Sequence, residues 1–186
     1  MAGTVAHFEK QELEPLASNV IFKGPGIYAL YYKGGIPEYR PIANRKCPIY
    51  IGKAVPPGAR KGGEGDVNVA VLQRRIREHA RSITAAKNLE LNDFSFRALA
   101  IVPVWIVFAE QALIKQYHPV WNTCLEGFGK HNQGINRLAT KPSWWDTLHP
   151  GRSWAAQPML QRGQDDRTEA KAKRLIRTHF RKHPIS

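Results

Sequence analysis

Two short segments constrain this chain more than anything else in it. Gly26-Ile-Tyr-Ala-Leu-Tyr-Tyr32 is dense in aromatic and branched residues and opens on a glycine. Ile49-Tyr-Ile51 repeats that chemistry and stops at Gly52. Both predict strands, because such side chains suit a pleated, half-buried surface. Residues 33–48 between them hold Gly34, Gly35, Pro37 and Pro41 and predict a loop or hairpin excursion. Residues 53–65 form a second irregular stretch with two prolines and four glycines, after which Asp66 could cap a helix. Leu72, Ile76, Ala80 and Ile83 recur at helical spacing and predict a helix over 67–82. Residues 94–102 predict a third strand. Pro103 then suits the first position of a helix running to Tyr117, ended by Pro119.

The ends are less regular. Residues 1–23 predict a mixed, partly helical arm, 124–160 an irregular stretch rich in Gly, Pro and Trp, and 165–182 a basic helix. The order β-β-α-β-α predicts an α+β fold: a small mixed or antiparallel sheet of about three strands flanked by helices. Long inserted loops and helical decorations at both ends complete it. No strong boundary divides the chain, so residues 1–186 are expected to form a single domain, and that length can bury a real core.

Charge narrows the partners. Lys and Arg number 28 against 15 acids, a net charge of +13, while the apolar share of 42% is ordinary for a globular chain. Such an excess attracts polyanions, with nucleic acid ahead of an anionic membrane surface or an acidic protein. The most apolar stretch, residues 98–109, is too short to span a bilayer and is broken by Pro103. The N-terminus lacks the basic-then-apolar plan of a signal peptide. Cys47 and Cys124 have no metal-ligand spacing and read as reduced thiols of a cytoplasmic protein.

A few residues carry possible chemistry. Glu110 is the only acid between Phe94 and Leu125 and sits among Trp105, Ile106, Val107, Phe108, Ala109, Ala112, Leu113 and Ile114. A carboxylate there needs a partner or a cation, though one reaching to solvent or to an arginine would also satisfy it. Arg75 and His79 are four apart on the predicted helix and share a face. A guanidinium fork suits a phosphate, and an imidazole exchanges protons near neutral pH. With Arg74, Arg77 and Arg81 alongside, an ordinary solvated basic face fits the same spacing. Tyr28 and Tyr50 would be poor bases alone, and strand tyrosines often serve only as core.

Together, Gly26-Ile27-Tyr28, Tyr50-Ile51-Gly52, Arg75 and His79 on one helix, Glu110 on a later helix, and Asn122 resemble the GIY-YIG nuclease superfamily. The resemblance covers about residues 24–123. It implies that Tyr28 lines the attacking water, with Tyr50 its partner at the scissile phosphate. Arg75 would bind that phosphate; it is preferred to Arg74 because it lies one helical turn before His79. His79 would aid proton transfer, Glu110 would be the sole carboxylate ligand of one Mg²⁺ per site (Mn²⁺ substituting), and Asn122 would order the site from behind.

The chain departs from the plainest family pattern. Tyr28 and Tyr50 are separated by 21 residues, and a second insertion follows Gly52. These stretches contain Lys33, Arg40, Arg45, Lys46, Lys53, Arg60 and Lys61. Extended segments of this kind resemble the type II restriction branch of the superfamily, where they surround DNA; Arg40, Arg45, Lys46, Lys53, Arg60 and Lys61 are the expected DNA contacts. Gly127-Phe128-Gly129, Trp145-Asp146 and Leu148-His149-Pro150-Gly151-Arg152 resemble that branch too, and residue chemistry alone offers no reason for them. The resemblance implies a homodimeric, Mg²⁺-dependent enzyme of the bacterial cytoplasm that cuts double-stranded DNA at a short, GC-rich palindrome such as CCGCGG. It also implies a companion DNA methyltransferase in the host. A structure-specific repair, recombination or mobile-element nuclease, and a DNA-binding protein with an inactive site, are the alternatives.

Overall fold

Strand β2 (Gly26–Tyr32) is buried at all seven positions, which requires cover on both faces of its sheet. The computed structural model describes residues 2–21, 23–56, 70–129, 142–155 and 166–185. Among them, β1 (Glu14–Pro15), β2, β3 (Tyr50–Ala54) and β4 (Phe94–Ala100) make one sheet in the order β1-β4-β2-β3. Every pairing is antiparallel, with Tyr28 opposite Gly52 and Leu30 opposite Tyr50.

Alternation along the strands sorts the core into two layers. Tyr28, Leu30 and Tyr32 face one side, where α2 (Val71–Ala85), residues 120–128 and residues 145–148 pack. Ile27, Ala29, Tyr31 and Ile51 face the other, against α1 (Ala2–Glu9) and α3 (Pro103–Tyr117). Trp121 and Trp145 anchor the first layer and are 1% and 0% exposed. Truncating either to alanine would cost about 3–5 kcal/mol, since a close-packed interior refills such a void poorly.

The fold is the α+β arrangement the sequence predicts, with differences at the edges. Among the described residues the sheet has four strands where the sequence predicts about three. Residues 14–15 of the expected arm pair with Phe96 and Ser95, a contact two residues long that no periodicity could signal. The second strand runs on to Ala54, so Lys53 lies in the sheet and not in the insertion. Helix α2 extends to Ala85, and the third strand stops at Ala100. Asp66, the expected cap, lies outside the described residues. The 124–160 stretch holds α5 (Trp144–Leu148), capped by Ser143 Oγ accepting from the Asp146 amide at 3.1 Å. The basic helix α6 spans Glu169–Lys182, beginning after Thr168 because that hydroxyl accepts from the Lys171 amide.

The excursion 33–48 is partly core: Tyr39 and Ile42 are buried, and Tyr39 Oη accepts from Trp121 Nε1 at 2.9 Å. Helix α3 buries Ile106, Ala109 and Leu113 yet leaves Val104, Trp105, Val107 and Phe108 exposed. No helix among the described residues is long and apolar enough to cross a membrane.

Candidate active site

The register that sets Tyr28 opposite Gly52 also sets the site. Tyr28 and Tyr50 come from neighbouring strands and point to the same face, their ring centroids 6.3 Å apart. A side chain at Gly52 would begin 2.3 Å from Tyr28 Oη, so only glycine leaves the phenol its place. Glycine follows Tyr50-Ile51 for reasons of space, not flexibility.

Helix α2 supplies the next layer. His79 is fully buried, and its Nε2 lies 2.6 Å from Tyr28 Oη. Its ring stacks on Phe128 at 4.5 Å and 21°. One turn earlier, Arg75 is half-buried while Arg74 is exposed. Arg75 Nη1 donates to Glu78 Oε2 at 3.1 Å and Nη2 to Gly129 O at 2.8 Å. Gly129 is also cramped, because an added carbon would come within 2.5 Å of Tyr50 Oη.

Burial pushes the Tyr28 phenol well above its ordinary value; neighbouring Tyr50 adds to this, and the Arg75 guanidinium opposes it. Burial raises Tyr50 as well, with Arg75 opposing and Glu110 reinforcing. Both phenols therefore keep their protons at neutral pH, and each feels the same arginine.

Glu110 comes from α3, which packs along β3. Its surroundings are less apolar than the sequence implies, because the exposed face of α3 opens to solvent beside it. The side chain is 15% exposed, and its Oε2 meets Lys53 Nζ at 2.5 Å. Glu110 thus already holds a cation. Among the described residues no group of three or more His, Cys, Asp or Glu could hold a metal ion. An ion at Glu110 would complete its shell with water and substrate oxygens, which is how Mg²⁺ commonly binds.

Asn122 stands behind the strand. Its Oδ1 accepts from the Ile51 amide and its Nδ2 donates to the Ile51 carbonyl, both at 2.8 Å. The side chain pairs with the free edge of β3 as another strand would, fixing the backbone between Tyr50 and Gly52. It sits in α4 (Val120–Thr123), which Pro119 starts.

All six residues singled out from sequence thus gather around the β2–β3 pair. Lys53, expected among the DNA contacts, also joins this cluster through its bond to Glu110. Phe128 and Gly129 complete the cluster, and only family likeness pointed to them. Of the other expected DNA contacts, Arg40, Arg45 and Lys46 are exposed; Arg60 and Lys61 lie outside the described residues. Arg45 and Lys46 border a pocket of about 350 Å³ with His118, Lys182 and His183. Burial raises the thiols of Cys47 and Cys124 to about 11 and about 12, so neither is a ready nucleophile or ligand.

Paired strand tyrosines, a helical Arg and His behind them, and a carboxylate on a second helix define a nuclease domain of the GIY-YIG class. The model of the Eco29kI GIY-YIG domain, a restriction-endonuclease family of that class, matches residues 20–179, and the chain belongs to that family. The match runs past the 24–123 core, through α5 and into α6. No curated protein matches the chain.

Proposed function

We propose that this nuclease is a type II restriction endonuclease that hydrolyses both strands of double-stranded DNA at a short palindrome, GC-rich in the manner of CCGCGG. The observation that carries its chemistry is the buried 2.6 Å contact between Tyr28 Oη and His79 Nε2. A phenol that stays protonated at neutral pH cannot itself be the base. Bonded to an imidazole, it can take a proton from water while passing its own to Nε2. The water oxygen then bonds to phosphorus, the bond to the 3′-oxygen breaks, and that oxygen takes a proton from solvent.

Arg75 faces both phenols and holds the non-bridging oxygens of the phosphate, where charge grows in the transition state. Tyr50 orients the phosphate from the other side, and Lys53 adds positive charge at the strand edge. Glu110 would hold Mg²⁺, with Mn²⁺ as a substitute, and such an ion would supply positive charge where negative charge grows in the reaction. Asn122 keeps Tyr50 in place through the backbone of Ile51.

One set of such residues cuts one strand, so the reading includes a homodimer whose two-fold axis matches the palindrome. Helix α3 supports it: Val104, Trp105, Val107 and Phe108 form an exposed apolar face beside Glu110 on a chain of net charge +13. Such a face suits a second copy. Arg40, Arg45, Lys46, Arg60 and Lys61 would meet the DNA, and a companion methyltransferase would protect the host sequence.

Incubation of plasmid DNA with Mg²⁺ or with EDTA, followed by sequencing of the ends, tests the reading. Discrete fragments with one shared end sequence, lost in EDTA, are expected. Nicking confined to branched substrates would replace it with a repair or recombination nuclease, and binding without cleavage with an inactive DNA-binding protein. Light scattering on a complex with a short duplex should give two chains per duplex.

A further inference from the structure

The segment after α5 grips the loop that closes the site. Arg152 is 3% exposed. Its Nε donates to Asp146 Oδ1 at 2.7 Å, its Nη1 to Phe128 O at 3.1 Å and its Nη2 to Gly127 O at 3.1 Å. The guanidinium lies over the rings of Trp145 and Trp154, 4.4 Å from each centroid. The second oxygen of Asp146 accepts from Ser143 Oγ at 2.6 Å.

The loop is held from its other side as well. Gly127 has φ 116°, which other residues rarely adopt, and an added carbon there would begin 2.0 Å from Ser143 Oγ. One residue on, Phe128 stacks on His79. One more, and the Gly129 carbonyl takes Arg75 Nη2. A single peptide segment therefore links a buried ion pair to both helix residues of the nuclease site.

A buried ion pair is poor value as a source of stability, because desolvation offsets most of its attraction. A planar fork with three fixed acceptors is, however, well suited to hold two carbonyls in one orientation. From this, and resting on the nuclease reading above, we infer that Arg152 and Asp146 are positioning residues for DNA cleavage. They fix the 127–129 loop and, through it, the orientation of Arg75 and His79. Neither touches the reacting atoms.

The test measures single-turnover cleavage, by the full chain with Mg²⁺, of a plasmid the wild type cuts. Arg152→Lys keeps the charge but not the fork. It should lower the cleavage rate about tenfold or more while changing the Kd for the same DNA less than about twofold. In an Arg75→Ala background the same change should cost clearly less than in the wild type, because one of the two groups it positions is gone and only the hold on His79 remains to be lost.

An equal loss in both backgrounds would mean that Arg152 serves the fold at large and would overturn the inference. So would a wild-type rate. If Arg152→Lys does not fold by circular dichroism, Asp146→Asn replaces it with the same expected pattern, since the amide keeps the shape, weakens the bond to Arg152 and leaves the Ser143 hydroxyl to turn and accept from the amide nitrogen. A wild-type chain that cuts no DNA would sink the nuclease reading and the inference with it; a cutting wild type with an unaffected variant would sink the inference alone.

Discussion

Lys53 Nζ lies 2.5 Å from Glu110 Oε2, tying the edge strand β3 to helix α3 beside the two site tyrosines. The pair gives Glu110 a cation partner within the protein, so its partly buried charge is not by itself a demand for metal. Glu110→Gln separates the two readings. Cleavage should fall below detection while DNA binding stays within a few fold, because a neutral amide is a weak ligand for Mg²⁺. Near-normal cleavage by this variant would remove Glu110 from the reaction; loss of the folded state would make its bond to Lys53 structural.

Arg75 and Arg74 are neighbours in sequence with different surroundings. Arg75→Ala should slow single-turnover cleavage by on the order of a hundredfold or more, through lost stabilisation of the phosphate in the transition state. Tyr28→Phe should cost a similar factor, since it deletes the hydroxyl bonded to His79. Arg74 is exposed, so Arg74→Ala should cost only a few fold, through weaker electrostatic attraction to DNA. The reverse order of the two arginines would show that the other face of α2 does the work.

Gly52→Ala tests whether the space beside Tyr28 matters. The added methyl would sit 2.3 Å from the phenol oxygen, in a core with no slack. The expected cost in stability is about 1–3 kcal/mol, typical of overpacking. Cleavage should fall far more than that fraction of unfolded protein explains, because the Tyr28–His79 contact must shift. Melting curves and rates measured on the same preparation would decide it.

All six tyrosines have phenols raised above the ordinary value of 10, in each case first by burial. Folding thus favours the protonated phenol. That stability is fully present below pH 10 and is lost as pH climbs through the folded values. Tyrosinate absorbance should stay low past pH 10 and then rise together with loss of the circular dichroism signal. A gradual rise centred on pH 10 in a still-folded chain would contradict the buried placement.

His149 behaves in the opposite sense. Burial, with help from the Arg152 charge, lowers it to about 3, and its neutral ring sits between Tyr39 and Asn88. The folded state therefore resists a proton that the unfolded chain takes up near pH 6.5. Stability is complete above that pH and falls by about 1.4 kcal/mol per pH unit between about 6.5 and about 3. His149→Gln should be less stable at neutral pH and should remove this slope; denaturant titrations at several pH values would reveal it.

What the sequence determined by itself was the frame and the cast. Aromatic and branched runs bounded by glycine marked β2 and β3, the 4-4-3 spacing of Leu72, Ile76, Ala80 and Ile83 marked α2, and Pro103 opened α3. The two tripeptides with Arg75, His79, Glu110 and Asn122 marked a nuclease family, because local pattern and short motifs are written in consecutive residues. The rest depended on contacts between distant parts of the chain. Lys53 looked like one more basic loop residue until the β2–β3 register carried it into the sheet and α3 brought Glu110 to it. Asn122 turned out to act on the backbone of Ile51, a partner 71 residues away. Arg152, Asp146 and the 127–129 loop had no physical meaning in one dimension. A buried guanidinium acquires its role only when folding removes water and leaves the carbonyls of Gly127 and Phe128 as its acceptors.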